Sequence, residues 1–226
     1  MKRALSTRVQ GPPAGVVEVW AIPLDPPDAE RERLVATLED GERARAERMT
    51  RGGREWAVAH GALRTILAGY LDIAPATLRF SRGNAGKPRL VGVRGLEFSF
   101  ARTDGLAMVA VASDRPVGID VEHVHDREEL DIDVVAREYL PAIDAAAIDA
   151  APPEQRRDAF FQAWARHEAR LKLQGKGLRE QITDEAVEAG TFVVVRAVAA
   201  RQGYAAAVAA EGGSWSIQVR ELFATA

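Results

Sequence analysis

Residues 117–122 read Val117-Gly118-Ile119-Asp120-Val121-Glu122 and predict a β-strand that carries two carboxylates. Successive side chains of a strand point to opposite faces, so Asp120 and Glu122 project from the same side. Gly118 has no side chain and allows another backbone to approach this strand closely. Taken alone, the two acidic residues are typical of the solvated end of a strand, so the rest of the chain decides their role.

A second segment, residues 160–172, predicts a helix with an acidic and a basic residue on one face. It reads Phe-Phe-Gln-Ala-Trp-Ala-Arg-His-Glu-Ala-Arg-Leu-Lys, in which Glu168 and Lys172 are four residues apart. On an exposed helix such a pair contributes only about 0.2–0.5 kcal/mol. The flanking apolar residues instead predict a largely buried helix, where an idle ion pair would be costly. They are Phe160, Phe161, Trp164 and Leu171.

Together the two segments predict a metal site beside a phosphate site. Asp120, Glu122 and Glu168 offer three carboxylates on rigid elements. Such a set suits a hard cation such as Mg²⁺, with Mn²⁺ as an alternative. Lys172 adds a positive charge next to them, which suits a phosphate group. We therefore predict that the three carboxylates are metal ligands and that Lys172 binds phosphate.

Five segments of the chain, which follow one another in the same order as in the family, resemble the 4′-phosphopantetheinyl transferases and in particular their larger, Sfp-like branch. Two are the segments just described, which match as Gly118-Ile119-Asp120-x-Glu122 and Trp164-x-x-x-Glu168-Ala169-x-x-Lys172. The others are an arginine-rich segment, a Gly-Lys-Pro turn and a segment that aligns with Phe-Asn-x-Ser-His-Ser/Thr-x-x-x-Ala. They occupy residues 42–49, 86–88 and 98–107, and the resemblance as a whole covers residues 16–222.

The resemblance implies an α+β fold of two similar α+β halves packed about a pseudo-twofold axis, with the site in the groove between them. Residues 1–15 are then a disordered N-terminal lead, residues 16–116 the N-terminal half, and residues 117–226 the C-terminal half with the metal site. An internal echo favours two copies of one unit. Residues 105–112 read Gly-Leu-Ala-Met-Val-Ala-Val-Ala, and residues 203–210 read Gly-Tyr-Ala-Ala-Ala-Val-Ala-Ala.

Hydrophobic patterns predict the individual elements. The predicted strands span residues 16–22, 78–80, 96–100, 106–112, 117–122 and 204–210. The predicted helices span residues 28–49, 54–70 and 155–174. Residues 145–153 read as a loosely structured surface segment.

The resemblance also implies a reaction: transfer of the 4′-phosphopantetheine group of coenzyme A to a serine of an acyl or peptidyl carrier protein, releasing adenosine 3′,5′-bisphosphate. Glu168 would take the proton of that serine, and Lys172 would neutralise charge on the leaving phosphate. The implied partners are carrier domains of polyketide, nonribosomal-peptide or fatty acid synthases. The residues implied to contact coenzyme A are Arg45, Lys87, Pro88, Arg102, Thr103, Asp120 and Lys172.

Four residues depart from the family pattern. Arg102 stands where the family usually has His, and a guanidinium keeps a charged contact to the 3′-phosphate of coenzyme A at any pH. Ala101 replaces a small hydroxyl residue and is expected to remove one hydrogen bond to a phosphate. His167 replaces a Lys before the metal-binding Glu and is expected to lie one residue off the face of the site, where change is tolerated. His60 replaces an Arg and is expected to pack in the second helix.

These departures leave two other functions open. A degenerate, non-catalytic module would still bind coenzyme A or a carrier protein. A Mg²⁺-dependent phosphohydrolase would use the same carboxylates, with water as the acceptor and no partner surface. The intact set of Asp120, Glu122, Glu168 and Lys172 favours the transferase. The sequence offers no Cys and no Gly-x-Ser-x-Gly motif, which favours direct transfer without a covalent enzyme intermediate.

Composition narrows the class of protein further. The 226 residues include no Cys, which excludes a disulfide scaffold or a thiolate metal site and favours a reducing, cytoplasmic location. A formal net charge of −3 gives no reason to expect nucleic-acid binding. The apolar runs are too short to cross a bilayer, so we expect a soluble protein with no membrane partner. Two copies of one unit within the chain favour a monomer.

Overall fold

The computed structural model describes residues 10–83, 86–113, 115–124, 130–176 and 192–223. Its strands are β1 (Val16–Pro23), β2 (Phe80–Arg82), β3 (Pro88–Leu90), β4 (Glu97–Thr103), β5 (Leu106–Ala112), β6 (Val117–His123), β7 (Val193–Ala197), β8 (Tyr204–Glu211) and β9 (Ser216–Glu221). Its helices are α1 (Asp28–Ala36), α2 (Asp40–Arg48), α3 (Gly53–Leu71), α4 (Ile132–Tyr139), α5 (Ala142–Ala150) and α6 (Pro153–Gln174). The predicted α+β class is confirmed. Within these ranges, no helix combines the length and the apolar character needed to cross a membrane.

The first sheet has the strand order β4-β5-β1-β9. β5 pairs antiparallel with both β4 and β1, whereas β9 runs parallel to β1. Helix α3 covers one face of this sheet, where Leu67 and Val109 belong to one buried apolar cluster. The predictions of a strand at 16–22, a core-facing helix at 54–70 and a buried strand at 106–112 are confirmed.

The second sheet has the order β6-β8-β7, with antiparallel pairing throughout. Helix α6 covers one of its faces. A Cβ at Gly118 would lie 2.0 Å from the carbonyl oxygen of Ala169, so only glycine lets β6 approach α6 this closely. The close approach predicted at Gly118 is therefore confirmed, and it brings the acidic strand against the helix that carries Glu168.

The other face of the second sheet packs against the first sheet. The layer between them is made of apolar side chains from β1, β5, β6 and β8 that are fully buried, including Val19, Met108, Ile119 and Val208. Because the odd-numbered residues of β6 fill this layer, Asp120 and Glu122 face α6 instead. The alternation of β6 thus decides which way its carboxylates point.

The helix predicted over residues 28–49 is wrong in its middle, because the chain forms two helices with a break at residues 37–39. Leu38 is buried at the break. Glu39 then begins α2 through a capping box, in which its backbone N–H donates to the Glu42 carboxylate over 3.0 Å. Because most residues of this stretch are charged, its pattern gives no sign that the chain breaks at the buried Leu38.

The prediction that residues 145–153 form a loosely structured surface segment is also wrong. Most of it belongs to α5, whose Ala145 and Ile148 are buried in a cluster with Phe160 of α6. Alanine is the strongest helix former, and a short alanine-rich helix needs only one or two larger apolar residues to dock it. The sequence therefore lacked the repeated large apolar residues by which helices were identified elsewhere.

One strand crosses between the two halves predicted from the sequence. Residues 216–221 fall in the second half by sequence, yet β9 pairs with β1 in the sheet of the first half. Each half does hold a helix packed on a sheet, α3 on one and α6 on the other. The division at residue 116 and the pseudo-twofold axis stay predictions.

The predicted disordered lead spans residues 1–15, of which residues 1–9 lie outside the described residues. Several hydrogen bonds attach the remainder to the fold. The backbone N–H of Gln10 donates to the carbonyl of Tyr70 over 2.7 Å. The hydroxyl of Ser113 donates to the carbonyl of Pro12 over 2.8 Å. Residues 10–15 thus run along the first sheet and the end of α3.

Candidate functional site

Asp120 lies at the centre of an acidic cluster between β6 and α6. The residue is only 4% exposed. Lys172 of α6 donates to Asp120 Oδ1 over 2.6 Å, while Oδ2 is buried and has no hydrogen-bond partner in the described structure. Burial raises the pKa of the Asp120 carboxyl, and the Lys172 ammonium opposes that rise. The structure therefore brings together the strand and the helix that the sequence singled out.

Glu122 and Glu168 complete this cluster. Burial raises the pKa of Glu122 from 4.5 to about 7, and the charge of Asp120 adds to the rise. Burial and the charge of Asp120 also raise the pKa of Glu168, whose Oε1 is buried without a hydrogen-bond partner among the described residues. Lys172 lowers the pKa of both, but a single ammonium does not balance three carboxylates.

The donor set of this cluster fits a divalent cation. The buried oxygens Asp120 Oδ2 and Glu168 Oε1 lack any donor, and hard cations prefer carboxylate oxygens. In the described ranges, however, no group of three or more His, Asp or Glu side chains is already arranged to hold a metal ion. The assignment of Asp120, Glu122 and Glu168 as metal ligands stays a prediction.

Trp164 has a part in this cluster that the sequence analysis missed. Its indole forms a hydrogen bond with the Glu122 side chain and lowers the pKa of that carboxyl against the larger effect of burial. Its ring also stacks on Phe160 and meets Tyr139 edge-on. The apolar pattern of the helix indicates only that Trp164 is a core residue. Its position four residues before Glu168, one turn along the same helix face, was the available signal.

A basic, aromatic cavity of about 440 Å³ lies on the first half of the molecule. Arg45 of α2 lies over the ring of Trp56, with its guanidinium carbon 5.3 Å from the ring centroid. His60 stacks on the same indole at 3.6 Å and meets Phe100 edge-on. The other lining residues come from α2, α3, β2, the turn before β3 and the first residue of β3. They are Gly41, Glu42, Leu63, Phe80, Ser81, Arg82, Gly86 and Pro88.

His60 packs on Trp56, as predicted, and its ring also forms part of the cavity wall. Burial lowers its pKa to about 4, and the charges of Arg102, Arg45 and Arg64 add to the effect. The imidazole is therefore neutral at pH 7. Arg102 and Arg45, two of the residues predicted to bind coenzyme A, are close enough to His60 for their charges to act on it. Both therefore lie near this cavity.

Arg102 and Thr103, both predicted to contact coenzyme A, are adjacent on β4, so their side chains point to opposite faces of the strand. Arg102 is exposed on the face that carries Phe100, towards the basic cavity. Thr103 points the other way, and its Oγ1 accepts the backbone N–H of His123 over 3.3 Å. Ala101 shares that second face and is 4% exposed in the apolar layer between the sheets. The expectation that Ala101 costs a phosphate contact is therefore wrong.

Lys87 has a partner within the protein. Its ammonium donates to the carbonyl of Val117 over 2.9 Å, at the first residue of β6. Burial lowers the pKa of Lys87, with the charge of Glu97 opposing. Lys87 lines a second cavity, of about 570 Å³, rather than the cavity with Arg45, whereas Pro88 lines both. The contacts of both residues with coenzyme A stay predictions.

His167 is buried and its Nδ1 has no hydrogen-bond partner in the described structure. Burial lowers its pKa, and the neighbouring charge of Arg170 acts in the same direction. It lines a small cavity of about 70 Å³ with Asp144 and Arg166, apart from the acidic cluster. The expectation that His167 lies off the face of the site agrees with this placement.

Comparison with known proteins connects the acidic cluster to a family. The sequence model of the 4′-phosphopantetheinyl transferase superfamily matches residues 116–212, which include β6 and α6. The 4′-phosphopantetheinyl transferase HetI of Nostoc sp. (strain PCC 7120) is 35% identical over 168 residues, 72% of this chain and 70% of that protein. The 4′-phosphopantetheinyl transferase of Bacillus subtilis is 24% identical over 166 residues, 72% of each chain.

A fungal relative is similar over a shorter stretch. The L-aminoadipate-semialdehyde dehydrogenase-phosphopantetheinyl transferase of Eremothecium gossypii is 34% identical over 141 residues, 59% of this chain and 50% of that protein. The match to HetI extends well beyond the acidic cluster, and the family segment begins where β6 begins. On these similarities the chain belongs to the 4′-phosphopantetheinyl transferase superfamily.

Proposed function

We propose that this protein transfers the 4′-phosphopantetheine group of coenzyme A to a serine of an acyl or peptidyl carrier protein, with release of adenosine 3′,5′-bisphosphate. Membership of the superfamily supports the phosphopantetheinyl transfer itself. One structural observation carries the proposal further. A basic, aromatic cavity and an acidic cluster lie on adjacent strands, β4 and β6, which are held together by the contact between Thr103 and His123.

The basic cavity suits the nucleotide end of coenzyme A. Its aromatic walls, Trp56, His60 and Phe100, offer apolar faces for an adenine ring. Arg45 lines the cavity, and Arg102 lies near it on the face of β4 that carries Phe100. Guanidinium groups pair with phosphate oxygens in a bidentate manner and stay charged at any pH. We assign Arg102 to the 3′-phosphate on this ground.

The acidic cluster suits the diphosphate, where the reaction occurs. Asp120, Glu122 and Glu168 would hold Mg²⁺, which when bound neutralises charge on the diphosphate oxygens. Lys172, held in place by Asp120, donates to the phosphate that leaves with the nucleotide. Glu168, in the same cluster, takes the proton of the carrier serine as a general base. The sequence has no Cys and no Gly-x-Ser-x-Gly motif, in keeping with direct attack of the carrier serine on phosphorus.

A single assay tests the proposal against its two rivals. The protein is incubated with coenzyme A, Mg²⁺ and an apo carrier protein, and the carrier is weighed by mass spectrometry. A carrier heavier by one phosphopantetheine group is the expected result. Free phosphopantetheine with an unchanged carrier would support the phosphohydrolase instead. Neither product, with coenzyme A still bound, would support the non-catalytic binding module.

Some finer features stay predictions. They are the Sfp-like branch, the use of Mg²⁺ or Mn²⁺, the cytoplasmic location, the monomeric state and the type of synthase that owns the carrier domain. The same assay resolves the carrier type when it is repeated with carrier domains of polyketide, nonribosomal-peptide and fatty acid synthases. Repeating it in EDTA, and then with Mg²⁺ or Mn²⁺ restored, resolves the metal.

A further inference from the structure

β6, the strand that carries Asp120 and Glu122, has one edge paired with β8 and the other turned towards β4. Backbone groups of alternate residues leave a strand on the same side, so residues 117, 119 and 123 present theirs along this second edge. Three side chains receive them, in place of a strand ladder. Lys87 donates to the Val117 carbonyl, and Thr103 accepts the His123 N–H.

The third of these side chains is Ser99. Its hydroxyl oxygen accepts the backbone N–H of Ile119 over 3.1 Å, and the side chain is only 2% exposed. Ser99 and Thr103 lie four residues apart on one face of β4, and their partners, Ile119 and His123, lie four residues apart on β6. Because the two pairs follow in the same order and with equal spacing along both strands, β4 and β6 run in the same direction here. The two hydroxyl groups hold them in one register.

We propose that Ser99 is a positioning residue, which fixes β6 against β4 and thereby sets the position of Asp120 relative to the coenzyme A cavity. Ile119 directly precedes Asp120, so the Ser99 contact holds the backbone at the first carboxylate of the site. β4 also carries Phe100 and Arg102 towards the basic cavity. Any shift between the two strands therefore changes the distance between the nucleotide and the reacting diphosphate. This inference rests on the proposed function.

Ser99→Ala is the direct test. It removes the acceptor and leaves the Ile119 N–H buried without a partner, so β6 is free to shift. Misplacement of reacting groups by about 1 Å costs up to about a hundredfold in rate. We expect kcat to fall by about tenfold or more, with KM for coenzyme A changed by less than about twofold. The Ile119 amide should exchange its hydrogen faster than in the wild type, measured by NMR.

Two further variants separate positioning from general stability. Ser113→Ala removes a hydroxyl that donates to Pro12, away from β6, and should lower the melting temperature without changing kcat. Ser99→Thr keeps a hydroxyl on a residue that strands favour, and should restore both kcat and the slow exchange of Ile119. Cavity walls and the acidic cluster are untouched in all three variants.

The outcomes are distinguishable. Equal kcat in Ser99→Ala and the wild type, despite faster exchange at Ile119, would overturn the role of Ser99. A KM for coenzyme A that rises as much as kcat falls would also overturn it, because Ser99 would then act on binding of the nucleotide. A wild-type protein that modifies no carrier protein contradicts the proposed function itself, whereas the comparison of variants in an active wild type tests Ser99 alone.

Discussion

The ammonium group of Lys172 lies 2.6 Å from Oδ1 of Asp120 and joins α6 to β6 across 52 residues of sequence. The pair is unevenly buried, with the lysine side chain 31% exposed and the aspartate 5%. Asp120 therefore depends on Lys172 for its charge, while Lys172 keeps access to solvent. Glu122 and Glu168 add two further carboxylates to a site that holds one ammonium. This imbalance of charge underlies the first two predictions.

Glu168→Gln should abolish transfer and stabilise the metal-free protein. Loss of a general base costs about a hundredfold or more in kcat. A neutral side chain removes the repulsion with Asp120, which together with burial raises the pKa of Glu168. At a pH of about 8, each kcal/mol gained should raise the melting temperature by about 2–4 °C, measured in EDTA. Glu154→Gln, an exposed change in the first turn of α6, is the control for the loss of one negative charge and should leave kcat unchanged without raising the melting temperature.

Glu122 should make the metal-free protein less stable as the pH rises. Its pKa is about 7 in the folded protein against an ordinary 4.5, so the folded state binds the proton more tightly. The free energy of unfolding contributed by Glu122 therefore falls as the pH rises from about 4.5 to about 7. His60, with its pKa lowered to about 4, acts in the opposite direction below its ordinary value of 6.5.

Urea unfolding in EDTA at about pH 5 and about pH 8 isolates the Glu122 contribution when the wild type is compared with Glu122→Gln. His60 is common to both proteins and cancels in the difference. We expect the variant to gain stability relative to the wild type at the higher pH and not at the lower. A difference of the same size at both values would show that Glu122 is ionised in the folded protein throughout this range.

Arg102→Ala should raise KM for coenzyme A and have little effect on KM for 3′-dephospho-coenzyme A. A hydrogen bond to a charged group is worth about 1.5–3 kcal/mol, which corresponds to about ten- to a hundredfold in affinity. The analogue lacks the phosphate that the guanidinium is proposed to contact, so it has nothing to lose. Arg94→Ala, at an exposed residue between β3 and β4, controls for the loss of one positive charge. Equal losses for both substrates would remove Arg102 from this role.

Arg64→Met should destabilise the protein strongly. The Arg64 side chain is almost completely buried on α3 and donates to the carboxylates of Glu39 and Glu42 and to two backbone carbonyls. Breaking a buried ion pair on one side costs about 3–5 kcal/mol. Arg79→Met removes an exposed arginine that shares Glu39, and should cost less than about 1 kcal/mol. Urea unfolding of both variants checks the difference, and similar losses in the two would show that Arg64 is not the hub of this contact.

The elements that carry the site were predictable because their patterns are strong. β6 alternates apolar and acidic residues, and α6 repeats aromatic and apolar residues over many turns, so both elements and their facing side chains followed from periodicity. The same alternation, applied to β4, would have placed Ala101 opposite Arg102 and inside the core. The resemblance instead suggested that the hydroxyl residue replaced by Ala101 faces a phosphate, whereas Ala101 lies in the apolar layer between the sheets.

Features that depend on distant pairing were not predictable. β9 exposes most of its side chains, so it lacks the alternating apolar face by which strands are recognised, and its partner β1 lies near the other end of the chain. The contact between Lys87 and the Val117 carbonyl depends on how two turns meet in space. The sequence shows residue types and local periods, whereas such contacts arise only once the sheets are assembled.

The parallel pairing of β9 with β1 has a consequence for synthesis on the ribosome. β1 emerges from the ribosome long before its partner strand and before Arg220, which donates to the buried Glu18 across 202 residues of sequence. Until then the edge of β1 is unpaired and the Glu18 carboxylate lacks its cation. Such nascent chains expose a strand edge that favours aggregation. We therefore expect a fragment ending before residue 216 to need chaperones, and the first half to complete its folding only after residues 216–221 have been synthesised.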